Sequence, residues 1–170
     1  MKHLVFLCLF ISVPLASGDL IAQETAEVEE VRLNFIQYHK LSLRNLDTSP
    51  EFEKVSLPNE LEIIPLSVVE ENVARNLNSH WAWAEYSLDM IDSYSPFLFR
   101  TKKSSSIEEI KVLLQVNSRG RLSGFEVLGD VDKGTLERLD HILRKLPDCK
   151  PVPGFDKYGQ ETFELTIRKY

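Results

Sequence analysis

Cys149, in the stretch LRKLPDCKPVPG, and the histidines His39, His80 and His141 are the side chains of this chain best suited to nucleophilic or metal chemistry. A working thiol needs a neighbour that favours the thiolate, such as a base, a cation or a helix start. The nearest histidine, His141, lies eight residues upstream on a segment whose Asp140 and Arg144 read as surface. Cys149 therefore reads as a small buried filler. The histidines stand far apart, in no HxxH or HExxH spacing, so no metal site is expected. His80 opens the stretch HWAW, whose Trp81 and Trp83 could form a platform for a sugar or an aromatic ligand. The expected role is plainer: Trp81 packs, and Trp83 lies near a surface or interface. The acidic run ETAEVEE reads as a solvated helix face rather than a cation site. Pairs such as Glu29–Glu30 and Glu70–Glu71 would point apart on a helix, and the seven glycines serve turns, with no phosphate loop among them. No catalytic residue, metal or cofactor is expected.

The elements that would position these groups begin after a leader. MKHLVFLCLFISVPLASG has a basic start at Lys2 and an apolar run from Leu4 to Ala16, with small residues before Asp19. A run of 13 residues is short for a bilayer-crossing helix, which needs about 20. A cleaved signal peptide over residues 1–18 is expected, with a second plausible cut after Ala22, and the protein is read as periplasmic or otherwise exported. An uncleaved anchor is the alternative. Cleavage would leave Cys149 as the sole cysteine, so no internal disulfide could form. Loss of Lys2 would take the formal charge from −6 to −7, a balance that disfavours nucleic acid and anionic membrane surfaces.

Charge divides the remainder. Residues 19–100 carry 6 basic and 15 acidic residues, whereas residues 101–170 carry 13 and 11. The change falls at RTKKSSS, Arg100–Ser106, which reads as a linker, giving an acidic, partly helical region over 19–100 and a second domain over 101–170. In the first region EEVRLNFIQYHK fits both a strand (Val31, Leu33, Phe35) and a helix (Val28, Val31, Phe35, Tyr38). Pro50 and Pro58 predict a loop. Ser67 and Glu70 form a capping-box pattern at the start of a helix running to Ile91. Val69, Val73 and Leu77, then Trp81, Ala84, Leu88 and Ile91, form its buried face, and Pro96 marks its end.

The second domain is sharper. Ile110, Val112, Leu114 and Val116 alternate along a strand, NSRGR turns with Gly120 at positive φ, and Phe125 and Val127 line the return strand, with a bulge near Gly124. Leu136, Leu139, Ile142, Leu143 and Leu146 fall at helical spacing before Pro147. Phe163, Leu165 and Ile167 alternate along the last strand. The expected fold class is α+β: a small three-stranded antiparallel sheet with one covering helix, ββαβ, preceded by a mainly helical region.

These pieces, in their order, carry a resemblance. VNSRGRLSGFEVL, GTLERLDHILRKLPDCKPVPG and YGQETFELTIRKY are similar to the TonB carboxy-terminal domain family over residues 107–170, under half of the chain that follows the leader. The resemblance implies a protein that binds an extended segment of a partner, such as an outer-membrane transporter, by adding it beside the last strand. Residues Thr162, Phe163, Glu164, Leu165, Thr166, Ile167 and Arg168 would then be the partner-binding set. An edge strand offers unpaired amides and carbonyls that such a segment satisfies without catalysis. Proline at Thr166 would block capture while sparing the fold, if the strand is an edge. Edge strands would also let two copies join.

The chain departs from the family in lacking an evident anchor and a proline-rich spacer, which puts energy transduction in doubt. It also carries Cys149 where the family usually has an aromatic. Two other functions compete: a structural or assembly protein of the envelope with no transporter role, in which the second domain packs its edge strand against residues 19–100, and a thiol-dependent or hydrolytic enzyme using Cys149.

Overall fold

The computed structural model describes residues 34–47, 64–155 and 157–169. The expected signal peptide, the run ETAEVEE and the loop around Pro50 and Pro58 lie outside the described residues. Within the unit spanning Arg32–Tyr170, the chain forms β1 (Phe35–Tyr38), β2 (Leu41–Asn45), α1 (Val68–Leu77), β3 (Trp81–Ala82), α2 (Ser87–Leu98), β4 (Glu109–Val116), β5 (Leu122–Leu128), α3 (Lys133–Leu143), β6 (Lys150–Pro151) and β7 (Glu161–Arg168).

The class is α+β, with a five-stranded sheet in the order β1-β2-β7-β4-β5, every neighbouring pair antiparallel. The three expected strands are β4, β5 and β7. The correction to the three-stranded sheet is the hairpin β1–β2, which adds two strands beyond β7. β1 falls in EEVRLNFIQYHK, which fits both strand and helix, and β2 follows that segment. Pairing decides for strand, because Leu41 and Leu43 of β2 fall on the sheet face that the core covers.

Strands from both sides of Arg100–Ser106 share this sheet, so the expected domain boundary falls inside one compact unit. The run itself is a knitted turn. Thr101 N donates to Ser104 Oγ and Ser104 N to Thr101 Oγ1, each at 3.1 Å, and Ser104 is fully buried. A single 3₁₀ turn, Ser104–Ser106, then leads into β4.

The capping box at Ser67 and Glu70 is present. The helix it starts is shorter than expected. Asn78 adopts φ 49° and ψ 50°, a left-handed conformation that asparagine tolerates and that ends helices. What reads as one helix from Ser67 to Ile91 is therefore α1, the short strand β3 and α2. Across this break the apolar periodicity changes its meaning: Ala74, Leu77 and Glu70 are buried in α1, while Val69 is exposed. Pro96 lies inside α2 and does not end it. It has no amide for the Asp92 carbonyl, and Ser95 Oγ donates to that carbonyl at 2.8 Å instead.

The three helices among the described residues meet one sheet face. Leu77, Leu88, Ile91, Leu98, Leu139, Ile142 and Leu143 join Leu41, Leu43, Val112, Leu114, Phe163 and Leu165 in a single core. Leu136, expected inside, is 41% exposed, because α3 turns Leu139 and Leu143 inward. The other sheet face carries Arg44, Glu109, Lys111, Glu164 and Arg168. Glu109 bridges to Lys111 at 3.3 Å and to Arg168 at 3.7 Å, the solvated face usual in an antiparallel sheet with one covered side. The bulge expected near Gly124 is present as a register shift opposite Gln115 and Val116.

Candidate functional site

The residues assigned to partner binding form β7, and β7 is not an edge strand. Phe163, Leu165 and Ile167 are fully buried in the core. The main-chain groups of alternate residues point to opposite flanks. Lys169 N donates to Glu108 O at 2.9 Å, so odd-numbered residues of β7 face β4. Arg168 N donates to Lys40 O at 3.0 Å and Leu46 N to Thr162 O at 2.9 Å, so Thr162, Glu164, Thr166 and Arg168 face β2. The flank that would accept a partner strand is filled by the chain itself. Thr166 pairs with Ser42, so proline there would break an internal ladder, against the expectation that it spares the fold.

The hairpin is held at both ends. At its turn, His39 has φ 48°, Tyr38 Oη donates to Asp89, and His39 Nδ1 lies 3.1 Å from Asp92 Oδ2, so two residues of the turn region bond to α2. Lys40 Nζ donates to the Lys169 carbonyl at 3.2 Å. At the open end, the Asp47 carboxylate accepts from Thr162 N and so caps the β2–β7 ladder. In between, Leu41 and Leu43 are 0% and 1% exposed, each contributing about 1.5–3 kcal/mol of apolar burial.

A buried polar cluster sits where β7 begins. Glu161 is 3% exposed. Its Oε2 accepts from Ser79 Oγ at 2.5 Å and, more weakly, from Asn45 Nδ2 at 3.5 Å, and its Oε1 accepts from His80 N at 2.9 Å. The His80 ring pairs with the same carboxylate. Three segments distant in sequence thus converge on one side chain: the end of β2, the turn after α1, and β7. A carboxylate can be buried only where donors replace water, and these donors do so. Ser79, His80 and Glu161 are residue types found in hydrolase triads. Here Ser79 Oγ bonds the carboxylate directly and accepts from Trp81 N at 2.9 Å, which describes a clamp rather than an activated nucleophile. Glu161 was missed as a site residue, because its partners lie 82 and 116 positions away and no local spacing links them.

HWAW is interior. Trp81 and Trp83 are 0% and 2% exposed, so neither forms a surface platform, and Trp83 does not lie near the surface as expected. Trp81 Nε1 donates to Gly159 O at 2.8 Å, and β3 pairs with β6 through Trp81 and Pro151. The turn between β4 and β5 closes over the same ring. Gly120 has φ +77°, and a Cβ there would meet Cys149 O at 2.3 Å and the Trp81 ring at 2.9 Å. Cys149 N donates to Gly120 O at 2.7 Å.

Cys149 is a free, buried thiol. Burial pushes it far above the usual thiol range, and the nearby Glu161 and Asp148 charges add to the shift. That environment opposes the thiolate a nucleophile needs. Among the described residues, no group of three or more His, Cys, Asp or Glu side chains could hold a metal ion. None of the described helices is long and apolar enough to cross a membrane. No model of a known protein family, no curated protein and no solved structure matches this chain.

Proposed function

We propose that this chain is an exported protein-binding module of a cell envelope, built on a TonB-like ββαβ unit, whose strand-pairing flank is held closed by its own hairpin β1–β2. The observation that carries the reading is the β2–β7 ladder. Thr162, Glu164, Thr166 and Arg168 direct their main-chain groups to a strand contributed by a separate part of the chain, in the place an added segment would take. A partner segment, such as one from an outer-membrane transporter, would take that flank by exchanging with β2. The leader-like first 18 residues support export.

The full burial of Leu41 and Leu43 favours a second reading, in which the hairpin never leaves and the chain is a structural or assembly element of the envelope. Leu43→Ala separates the two. The truncation weakens the hairpin's hold by about 2–5 kcal/mol. Amide exchange at Thr162, Glu164, Thr166 and Arg168 checks that the flank has loosened while β4 stays protected. The binding reading expects this variant to retrieve an outer-membrane protein from envelope extracts better than wild type does. Loosened amides with no gain in capture would leave the structural reading in its place.

A further inference from the structure

A second surface, independent of β7, lies between α2 and α3. The two helices leave a cleft of about 420 Å³, with Tyr94, Phe97 and Ile142 as its apolar part and Glu137, Arg138 and His141 on its polar side. Phe97 is 51% exposed although it is a large aromatic side chain. The cations around it are arranged on the aromatics. The Arg100 guanidinium lies 5.3 Å from the Phe97 ring centre, and Lys145 Nζ lies 4.8 Å from that of Tyr94.

The charge at this cleft is unbalanced. Its one lining carboxylate, Glu137, already faces Lys133 at 3.7 Å, and nearby Asp140 is paired with Arg144 at 2.8 Å. Arg100 and Lys145 form no ion pair among the described residues, whereas Arg138 has the Asp132 carboxylate near it across Gly134. Arg138 is held in place by Nη2, which donates to Thr135 Oγ1 at 2.8 Å and to Leu98 O at 3.4 Å, while its buried Nε has no acceptor. Aromatic and arginine side chains around a partly apolar cleft make up the composition of a protein-binding hot spot. The chain as a whole is formally −6, so this cluster is a local exception and not part of a general basic surface.

We infer that the α2–α3 cleft docks an acidic segment of a partner protein, which places an apolar side chain against Phe97 and Tyr94 and its carboxylates beside Arg100 and Lys145. The attraction is local and partly exposed, so it weakens with added salt. The ring contact supplies the anchor.

The test uses the full chain after the leader and a fluorescein-labelled amphipathic peptide of leucine and glutamate, with the same peptide carrying lysine for glutamate as its control. Fluorescence anisotropy is read at low and at physiological salt. The glutamate peptide is expected to bind, less tightly in salt, and the lysine peptide not to bind. Phe97→Ala and Lys145→Glu are each expected to weaken binding about tenfold or more. Phe97 lines the cleft and is half exposed, Lys145 lies over the Tyr94 ring beside it, and an unchanged thermal midpoint confirms that the variants are folded. Equal binding of the two peptides, no binding of either, or full binding by folded Phe97→Ala would overturn the inference. Leu43→Ala, which acts on the β7 flank, is expected to leave peptide binding unchanged.

Discussion

Ser79 Oγ donates to Glu161 Oε2 at 2.5 Å, tying the turn after α1 to the first residue of β7 through a carboxylate that is 3% exposed. The same carboxylate receives His80 N and Asn45 Nδ2, so one side chain joins three parts of the fold. Glu161→Ala would leave His80 N without its acceptor, while Ser79 Oγ keeps Trp81 O at 2.8 Å and Asn45 Nδ2 keeps Asn78 O at 3.3 Å. The expected loss is about 1–3 kcal/mol, read as a lower urea midpoint. Glu161→Gln should cost less, because an amide oxygen still accepts. A loss below about 1 kcal/mol for the alanine variant would mean that water replaces the carboxylate.

Gly120 and Gly124 lie close together in sequence and should respond differently to alanine. At Gly120 a Cβ meets a carbonyl at 2.3 Å and the Trp81 ring at 2.9 Å, on a backbone with φ +77°. Strain and overlap together predict a loss of about 2 kcal/mol or more. At Gly124 the nearest atom is the end of the flexible Gln115 side chain at 3.4 Å, so alanine there is expected to be nearly neutral. Thermal unfolding of both variants beside wild type checks the contrast.

Thr166→Pro is expected to abolish the cooperative fold. The amide it removes belongs to the β2–β7 ladder, in the middle of a five-stranded sheet. Loss of near-ultraviolet circular dichroism from the tryptophans would register this. A folded Thr166→Pro protein would show that β2 does not hold that amide in solution.

Cys149 should label with iodoacetamide only after denaturation, because it is buried and its thiol is pushed well above the usual range. Mass spectrometry at neutral pH, with and without urea, gives the answer. Rapid labelling of the native chain would restore the thiol-enzyme reading.

Glu70 and Lys150 couple stability to acid. Burial of Glu70 raises its carboxyl pKa, but the Lys150 ammonium, at 2.8 Å from both oxygens, and the Ser67 amide outweigh this and hold it below its ordinary value of 4.5. A carboxylate with a depressed folded pKa contributes stability above its unfolded pKa and loses it as pH falls through the folded value. Urea midpoints should therefore decline as pH drops below about 4.5. Lys150→Met should lower stability near pH 7 by about 2 kcal/mol, and its gap to wild type should narrow in acid. A gap that is constant with pH would show that Lys150 acts through packing alone.

Elements with a strong local rhythm were legible in the sequence. The alternation of Ile110, Val112, Leu114 and Val116, the helical spacing of Leu139, Ile142 and Leu143, the positive φ of Gly120 and the capping box at Ser67 all appear as expected. Each depends on contacts within a few residues. The break at Asn78 was hidden, because apolar residues continue at helical spacing across it and one left-handed residue redirects the chain without disturbing that spacing.

The candidate site was legible only in its residues. The sequence by itself determined that Phe163, Leu165 and Ile167 share a buried face, since a strand alternates whatever lies beside it. It determined equally that Cys149 has no activating neighbour along the chain. Only the tertiary structure decided that β7 is central and not an edge, that β2 occupies its flank, and that Glu161 gathers Ser79, His80 and Asn45. The reason is physical. A strand's side chains record which face is covered, but its flanks are recognised by main-chain groups that are the same in every residue except proline, so strand order is set by long-range packing and leaves no mark in the local pattern.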